Sequence, residues 1–339
     1  MYQSAIPSCA SPDRRSVLLT LGGALALPLV ASCAGQAFAA PLGELELYGP
    51  PAGPSVILAR AAASGALSRI ADKASFRAWR NPDEMRAGLT SGTMRAVVLP
   101  VQVAASLYNR GFGLKLLNVM TKGLLYVISA DTGVTSLADL KGKRLAVPFR
   151  NDMPDLVLAR LLPHYRLSPG TDLAIETVGS PVEAIQMLMA GRVDAVLAPE
   201  PAISAAIMLA GATGKTLARV IDIQEVWGEV SGGPPVLPQA GLALTDAFTQ
   251  ADPDIAEALQ AALEKVAAEV NAEPEKAAAD AAPALEMPAP VIAASIANSR
   301  LVAQRASTVR TEIEAMLAML SDADPGLIGG RLPDDGFYL

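Results

Sequence analysis

Cysteine is nearly missing from this chain of 339 residues: Cys9 and Cys33 are the two, and both precede residue 41. The rest of the chain therefore has no thiol for a disulfide, a thiolate nucleophile or a metal site. Histidine is reduced to His164 alone, at the end of a predicted helix and without a partner motif. Nucleophilic and zinc chemistry thus lack their usual groups, and neither a metal nor a cofactor is expected. Charged residues make up only 18% of the chain, the net charge is −7, and no basic cluster occurs, which argues against a nucleic-acid partner. Aromatic residues are few at 4%, so one standing at a loop end carries more information than usual. Hydrophobic residues are abundant at 51%, on a chain long enough for one large or two ordinary domains.

Residues 1–40 read as an export segment. Arg14-Arg15 precede an apolar run from Val17 to Val30, too short for a membrane span and suited to a signal-peptide core. The paired arginines suggest the twin-arginine route, although Asp13, Val17 and Leu19 depart from its pattern, and general secretion is the alternative. The run ends Leu29-Val30-Ala31-Ser32-Cys33, which resembles a bacterial lipobox; acylation of Cys33 would anchor the protein to a membrane. Cleavage after Ala37-Phe38-Ala39 is the rival. Both readings export the protein, to the periplasm or the cell surface.

The most informative stretch runs from Ser180 to Pro201. Ser180 suits an N-cap, Pro181 the first helical position, and Glu183 the closure of a capping box. Ile185, Leu188 and Met189 fall at helical spacing, Gly191 stops the helix, and Val193–Leu197 reads as a buried strand ended by Pro199 and Pro201. Subtracting 99 from these positions finds the same text again: Asn81-Pro82-Asp83-Glu84, Leu89, Gly92, Ala96-Val97 and Pro100. The same offset pairs Leu45-Glu46-Leu47-Tyr48 with Arg144-Leu145-Ala146-Val147, and Ser75-Phe76-Arg77 with Ala174-Ile175-Glu176. Each half reads strand, helix, strand, capped helix, strand, which predicts two similar α/β lobes in one chain.

The chain passes between halves at Thr121–Gly123 and returns at Pro238–Gly241, where hinges are expected. From Asp252 onward the sequence reads as helical, over Pro253–Asn271, Pro274–Ala282, Ala289–Ser295 and Val309–Leu320, before a turn-rich tail with an aromatic end. One lobe then comprises 41–121 with 242–339, and the other 122–241.

Asp139-Leu140-Lys141-Gly142-Lys143-Arg144-Leu145-Ala146-Val147, taken with Gly191-Arg192-Val193-Asp194-Ala195 and Glu200-Pro201, resembles the periplasmic solute-binding proteins of ABC importers. The nearest group includes binders of aliphatic sulfonates, taurine, nitrate and thiamine pyrimidine precursors. The likeness spans roughly residues 42–250. It implies a type II periplasmic binding fold: two doubly wound lobes joined by a two-strand hinge, with a helical C-terminal part. It also implies a monomer that closes on a small-molecule ligand and docks on an ABC permease and its ATPase.

Ligands of open α/β sheets sit beyond the carboxyl ends of the strands. That rule selects Gly49–Ser55, Trp79–Asn81 and Pro100–Gln102 from the first half, and Phe149–Met153, Gly179-Ser180 and Pro199-Glu200 from the second. The expected ligand-binding residues are Trp79, Asn81, Gln102, Phe149, Arg150, Asn151, Asp152 and Glu200. Trp79 and Phe149 suit a flat or apolar part, Arg150 an anion, the amides neutral hydrogen bonds, and Asp152 and Glu200 an amine. Arg150 and Glu200 together point away from a bare anion and toward a zwitterion or an amino-heterocycle; an inward Arg80 would favour a sulfonate-like solute. No catalytic residue is expected. The alternatives are a receptor presenting its ligand to a sensor kinase, and a carboxylate-dependent lyase acting through Glu200 and Asp152.

Overall fold

The computed structural model describes residues 42–339 except 251, 253 and 323. The proposed signal segment and Cys33 lie outside the described residues. Among the described residues no helix is long and apolar enough to cross a membrane.

Two five-stranded sheets carry the fold, and they have the same order. The first runs Ala71–Ala78, Leu42–Gly49, Ala96–Pro100, Ala240–Thr245, Leu114–Leu116. The second runs Ala174–Val178, Arg144–Pro148, Ala195–Pro199, Leu125–Ser129, Ala218–Asp222. In each, three parallel strands are followed by an antiparallel strand that has just crossed from the other lobe. The two crossing strands begin opposite equivalent prolines, Ala240 against Pro100 and Leu125 against Pro199. This is the two-lobed, two-strand-hinge architecture of type II periplasmic binding proteins.

The offset of 99 holds for most of the repeat and slips in one strand. Ala96–Pro100 maps onto Ala195–Pro199 residue for residue. Tyr48, however, lies opposite Arg77 and Val97, whereas its counterpart opposite Glu176 and Val196 is Ala146. Arg77 to Glu176 is 99 positions, and Tyr48 to Ala146 is 98. The first strand is thus displaced by one residue from the sequence match, which by the two-residue period of a strand would put every side chain on the wrong face. Burial agrees with the shift: exposed Glu46 now matches exposed Arg144, and buried Leu47 matches buried Leu145.

Local chemistry explains why the repeated helices start where they do. Asn81 Oδ1 accepts from the Glu84 amide at 3.0 Å and Ser180 Oγ from the Glu183 amide at 3.2 Å. The reciprocal bond of the expected capping box lands one residue early in both halves: Glu84 accepts from the Arg80 amide and Glu183 from the Gly179 amide. Gly92 and Gly191 end the two helices with φ of 75° and 69°, the left-handed region in which glycine carries no Cβ penalty.

Besides the short helix Asp246–Thr249, two longer elements escaped the sequence reading. Ile223–Ser231 is a helix, capped by Asp222, whose Oδ1 accepts from the Gln224 amide at 2.8 Å. Leu301–Arg305 is a strand inside the region read as helical, and it pairs with Asn118–Thr121 beside the first crossing. The helix expected to end at Ala282 runs on through Pro283 to Leu285. At the crossing itself, Gly123 has φ of 135°, and a Cβ there would stand 1.9 Å from Cγ of buried Gln224. The aromatic tail folds back on the first lobe: Phe337 is fully buried, and the Leu339 amide donates to the Leu116 carbonyl at 2.9 Å, covering the edge of the first sheet.

Candidate functional site

A cavity of about 300 Å³ lies between the lobes at the carboxyl ends of the parallel strands, at the small end of the usual range for ligand pockets. Pro100 and Pro199 both line it. The first lobe adds the Pro50–Pro54 loop, Trp79–Arg80 and Gln239; the second adds Phe149, Asp152–Pro154 and Ser180–Val182; Met287 reaches it from the helical part.

Of the eight expected residues, Trp79, Phe149 and Asp152 line this cavity. Trp79 is buried, and its Nε1 donates to the Val98 carbonyl at 3.1 Å. Its polar edge is therefore committed to the sheet, and it offers the cavity an apolar ring surface. Phe149 has φ of 61° and Asn151 φ of 60°. Such angles are strained in a residue that is not glycine, most of all in an aromatic one, and they hold the turn that presents Phe149 to the cleft.

Asp152 caps the helix Met153–Leu161 through the Met153 amide at 2.8 Å and also accepts from Gln102 Nε2 at 3.0 Å. Gln102 belongs to the first lobe and Asp152 to the second, so this bond crosses the cleft. Gln102 is buried behind Asp152 rather than lining the cavity. Burial pushes the Asp152 carboxyl up from its ordinary value, against the opposing pull of the Met153 amide, Arg86 and Gln102. A carboxyl whose pKa rises on folding contributes stability that is full below its unfolded pKa and fades as pH climbs through the raised one. Melts recorded across the acidic range will show that decline, and Asp152→Asn will flatten it.

The structure gives the other four residues different places. Asn81 spends its side chain as an N-cap, and neither it nor exposed Arg150 and Asn151 lines the cavity. The largest correction is Glu200. Its carboxylate is fully buried, turned away from the cleft and held by Arg219, whose Nε donates to Oε1 at 2.8 Å; the Ser204 amide donates to Oε2 at 3.0 Å. Ser204 Oγ accepts from Arg219 Nη2 at 2.7 Å, and Arg219 stands over the Tyr126 ring. An arginine 19 residues away gives no local sequence signal, so the carboxylate looked free. What Glu200 brings to the cleft is its carbonyl, which accepts from the Gly53 amide of the opposite lobe at 3.3 Å. Arg150 and Glu200 therefore do not present opposite charges to the cavity.

Gln239 was missed. It lines the cavity, is buried, and its Oε1 has no hydrogen-bond partner. It immediately precedes the returning strand, whereas the strand-end rule had looked only past parallel strands. His164 is half exposed on the second lobe, 4.0 Å from Glu229 and not at the cavity.

Comparison with known proteins agrees with this architecture. The model of a family described as the NMT1-like family matches residues 56–285. An ABC transporter structure from Parabacteroides distasonis superposes with a TM-score of 0.71 at 21% identity, over 88% of this chain and 99% of that one. The periplasmic aliphatic sulphonate binding protein SsuA from Escherichia coli gives 0.65 at 18% identity, over 85% and 96%. The periplasmic nitrate-binding protein NrtA from Synechocystis gives 0.60 at 14% identity, over 75% and 70%. No curated protein matches the sequence.

Proposed function

The chain belongs to the NMT1-like family, and from that membership and its cleft we propose that it is the extracytoplasmic solute-binding component of an ABC importer. One observation carries the reading: two lobes of equal topology, joined by two crossings, place equivalent strand ends and equivalent prolines around one cavity. Hinges at the ends of elements absorb the backbone change when such lobes close. We assign residues 41–121 with 242–339 to one lobe and 122–241 to the other. Residues 1–40 export the protein, and acylation of Cys33 anchors it.

In this reading Trp79 and Phe149 contact the body of the solute and Asp152 takes its polar end. Gln102 positions Asp152 and joins the lobes in the closed state. Asn81, Arg150 and Asn151 shape the rim, and Glu200 braces the second lobe from beneath. The solute passes to a membrane permease driven by its ATPase.

The test is to export the protein in its native host, purify it without denaturation, and release and identify whatever small molecule it retains. A single retained solute, whose uptake by cells falls when the gene is deleted, is the expected outcome. Turnover of that molecule by the purified protein, or an unchanged uptake rate, would overturn the assignment.

A further inference from the structure

Four helices begin at the cleft: Gly53–Ala63, Pro82–Ser91, Met153–Leu161 and Pro181–Met189. Helix N-termini ordinarily make anion sites, because their first amides are free and the dipole favours negative charge. Here much of that capacity has been spent. Each helix has a proline among its first two residues, Pro54, Pro82, Pro154 and Pro181, and each proline deletes one N–H donor. Caps and carbonyls consume others: the Glu84, Met153 and Glu183 amides go to Asn81, Asp152 and Ser180, and the Gly53 amide goes to the Glu200 carbonyl. Three of the four helix starts also hold a carboxylate of their own. Glu84, Asp155 and Glu183 accept from the Arg80, Asn151 and Gly179 amides at 2.7, 2.8 and 2.8 Å.

The side-chain groups left at the cavity are the Asp152 carboxylate, the Gln239 amide and the Ser180 hydroxyl, and the charged one is an acceptor. Gln239 Oε1 is buried without a partner, and the bonds recorded at Asp152 fall on Oδ1, leaving Oδ2 for a ligand. Arg80 is the cation among the lining residues, but its side chain is 85% exposed and its Nε lies 3.2 Å from Glu84; exposed Arg150 stands outside the lining. The remaining lining is apolar, dominated by proline, leucine, Trp79, Phe149 and methionine. A buried acceptor without a donor is costly, so the ligand that fits this cleft must bring the donors.

Resting on the importer reading, we propose that the solute is a small molecule with an apolar, ring-sized body that presents N–H donors and bears no negative charge, of the aryl amidine or aryl amide class. Asp152 Oδ2 receives its donors, and the Gln239 side-chain amide, which has no partner for Oε1, turns to bond its polar end. The cleft excludes oxyanions, in contrast to the sulphonate- and nitrate-binding proteins whose fold it shares.

Four probes that share one phenyl ring test this: benzamidine, benzamide, benzoate and benzenesulfonate, each titrated into the protein by calorimetry and by thermal melts. Benzamidine is expected to bind tightest, benzamide more weakly, and the two anions not at all. Asp152→Asn keeps a good N-cap, so the helix survives, and it should weaken benzamidine about tenfold or more and benzamide less, since benzamidine alone loses a charge-assisted bond. Gln239→Leu should weaken both. Anions that bind as well as benzamidine, an Asp152→Asn variant with unchanged benzamidine affinity, or a panel in which nothing binds would each overturn the ligand class. A retained sulfonate recovered from cells would also overturn it while leaving the importer assignment intact. An unchanged uptake rate on gene deletion would overturn the importer assignment whatever the panel shows.

Discussion

Arg219→Leu is expected to lower the unfolding free energy by about 3–5 kcal/mol, the range measured when one partner of a buried ion pair is removed. The Glu200 carboxylate has no exposure to solvent, and Arg219 supplies both its charge partner and the bridge to Ser204. Without the guanidinium a buried anion keeps one neutral donor, the Ser204 amide. Pairing the change with Glu200→Gln should recover most of the loss, because a neutral amide at that position needs no counter-charge and still accepts from Ser204. Urea unfolding of the single and double variants measures both effects. A loss near zero for Arg219→Leu, or no recovery in the double variant, would mean that the pair does not brace the second lobe.

Trp79→Ala is expected to cost about 3–5 kcal/mol as a large-to-small change in a packed site and to abolish solute binding as well. The indole is buried at 6% exposure, packs with the first-lobe core and lines the cleft. A stability effect alone would follow from any core tryptophan, so Trp79→Phe is the informative companion. Phenylalanine keeps a ring at the cavity and loses the bond to the Val98 carbonyl, for about 1 kcal/mol. It should retain binding within a few-fold, measured by calorimetry at a temperature where every variant is folded. Equal binding by Trp79→Ala would remove the indole from the site.

The two-lobed plan was legible because caps, stops and strand ends are local. Asn81-Pro82 with Gly92, and Ser180-Pro181 with Gly191, announce the same unit twice. The first strand slipped by one position because alternating apolar residues match almost as well in the neighbouring register. Leu301–Arg305 was invisible because five residues of strand flanked by helices leave no periodicity to read. The lining of the cavity was legible at strand ends, where Trp79, Phe149 and Asp152 stand. It was not legible where a distant partner decides the role. Arg219 turns Glu200 inward, and Asp152 draws Gln102 across the cleft. The reduced donor capacity of the helix N-termini is a sum over proline, caps and carboxylates, and no one motif displays it.

The claim that the lobes clamp a solute is tested most directly by a distance across the cleft. Residues 42–339 contain no cysteine, so labels at Ala87→Cys and Gln186→Cys, exposed positions on the two rim helices, report that distance cleanly once Cys9 and Cys33 are replaced. Electron–electron resonance with and without saturating benzamidine should show a broad population collapsing to a single shorter distance. An identical distribution at saturation confirmed by calorimetry would contradict closure.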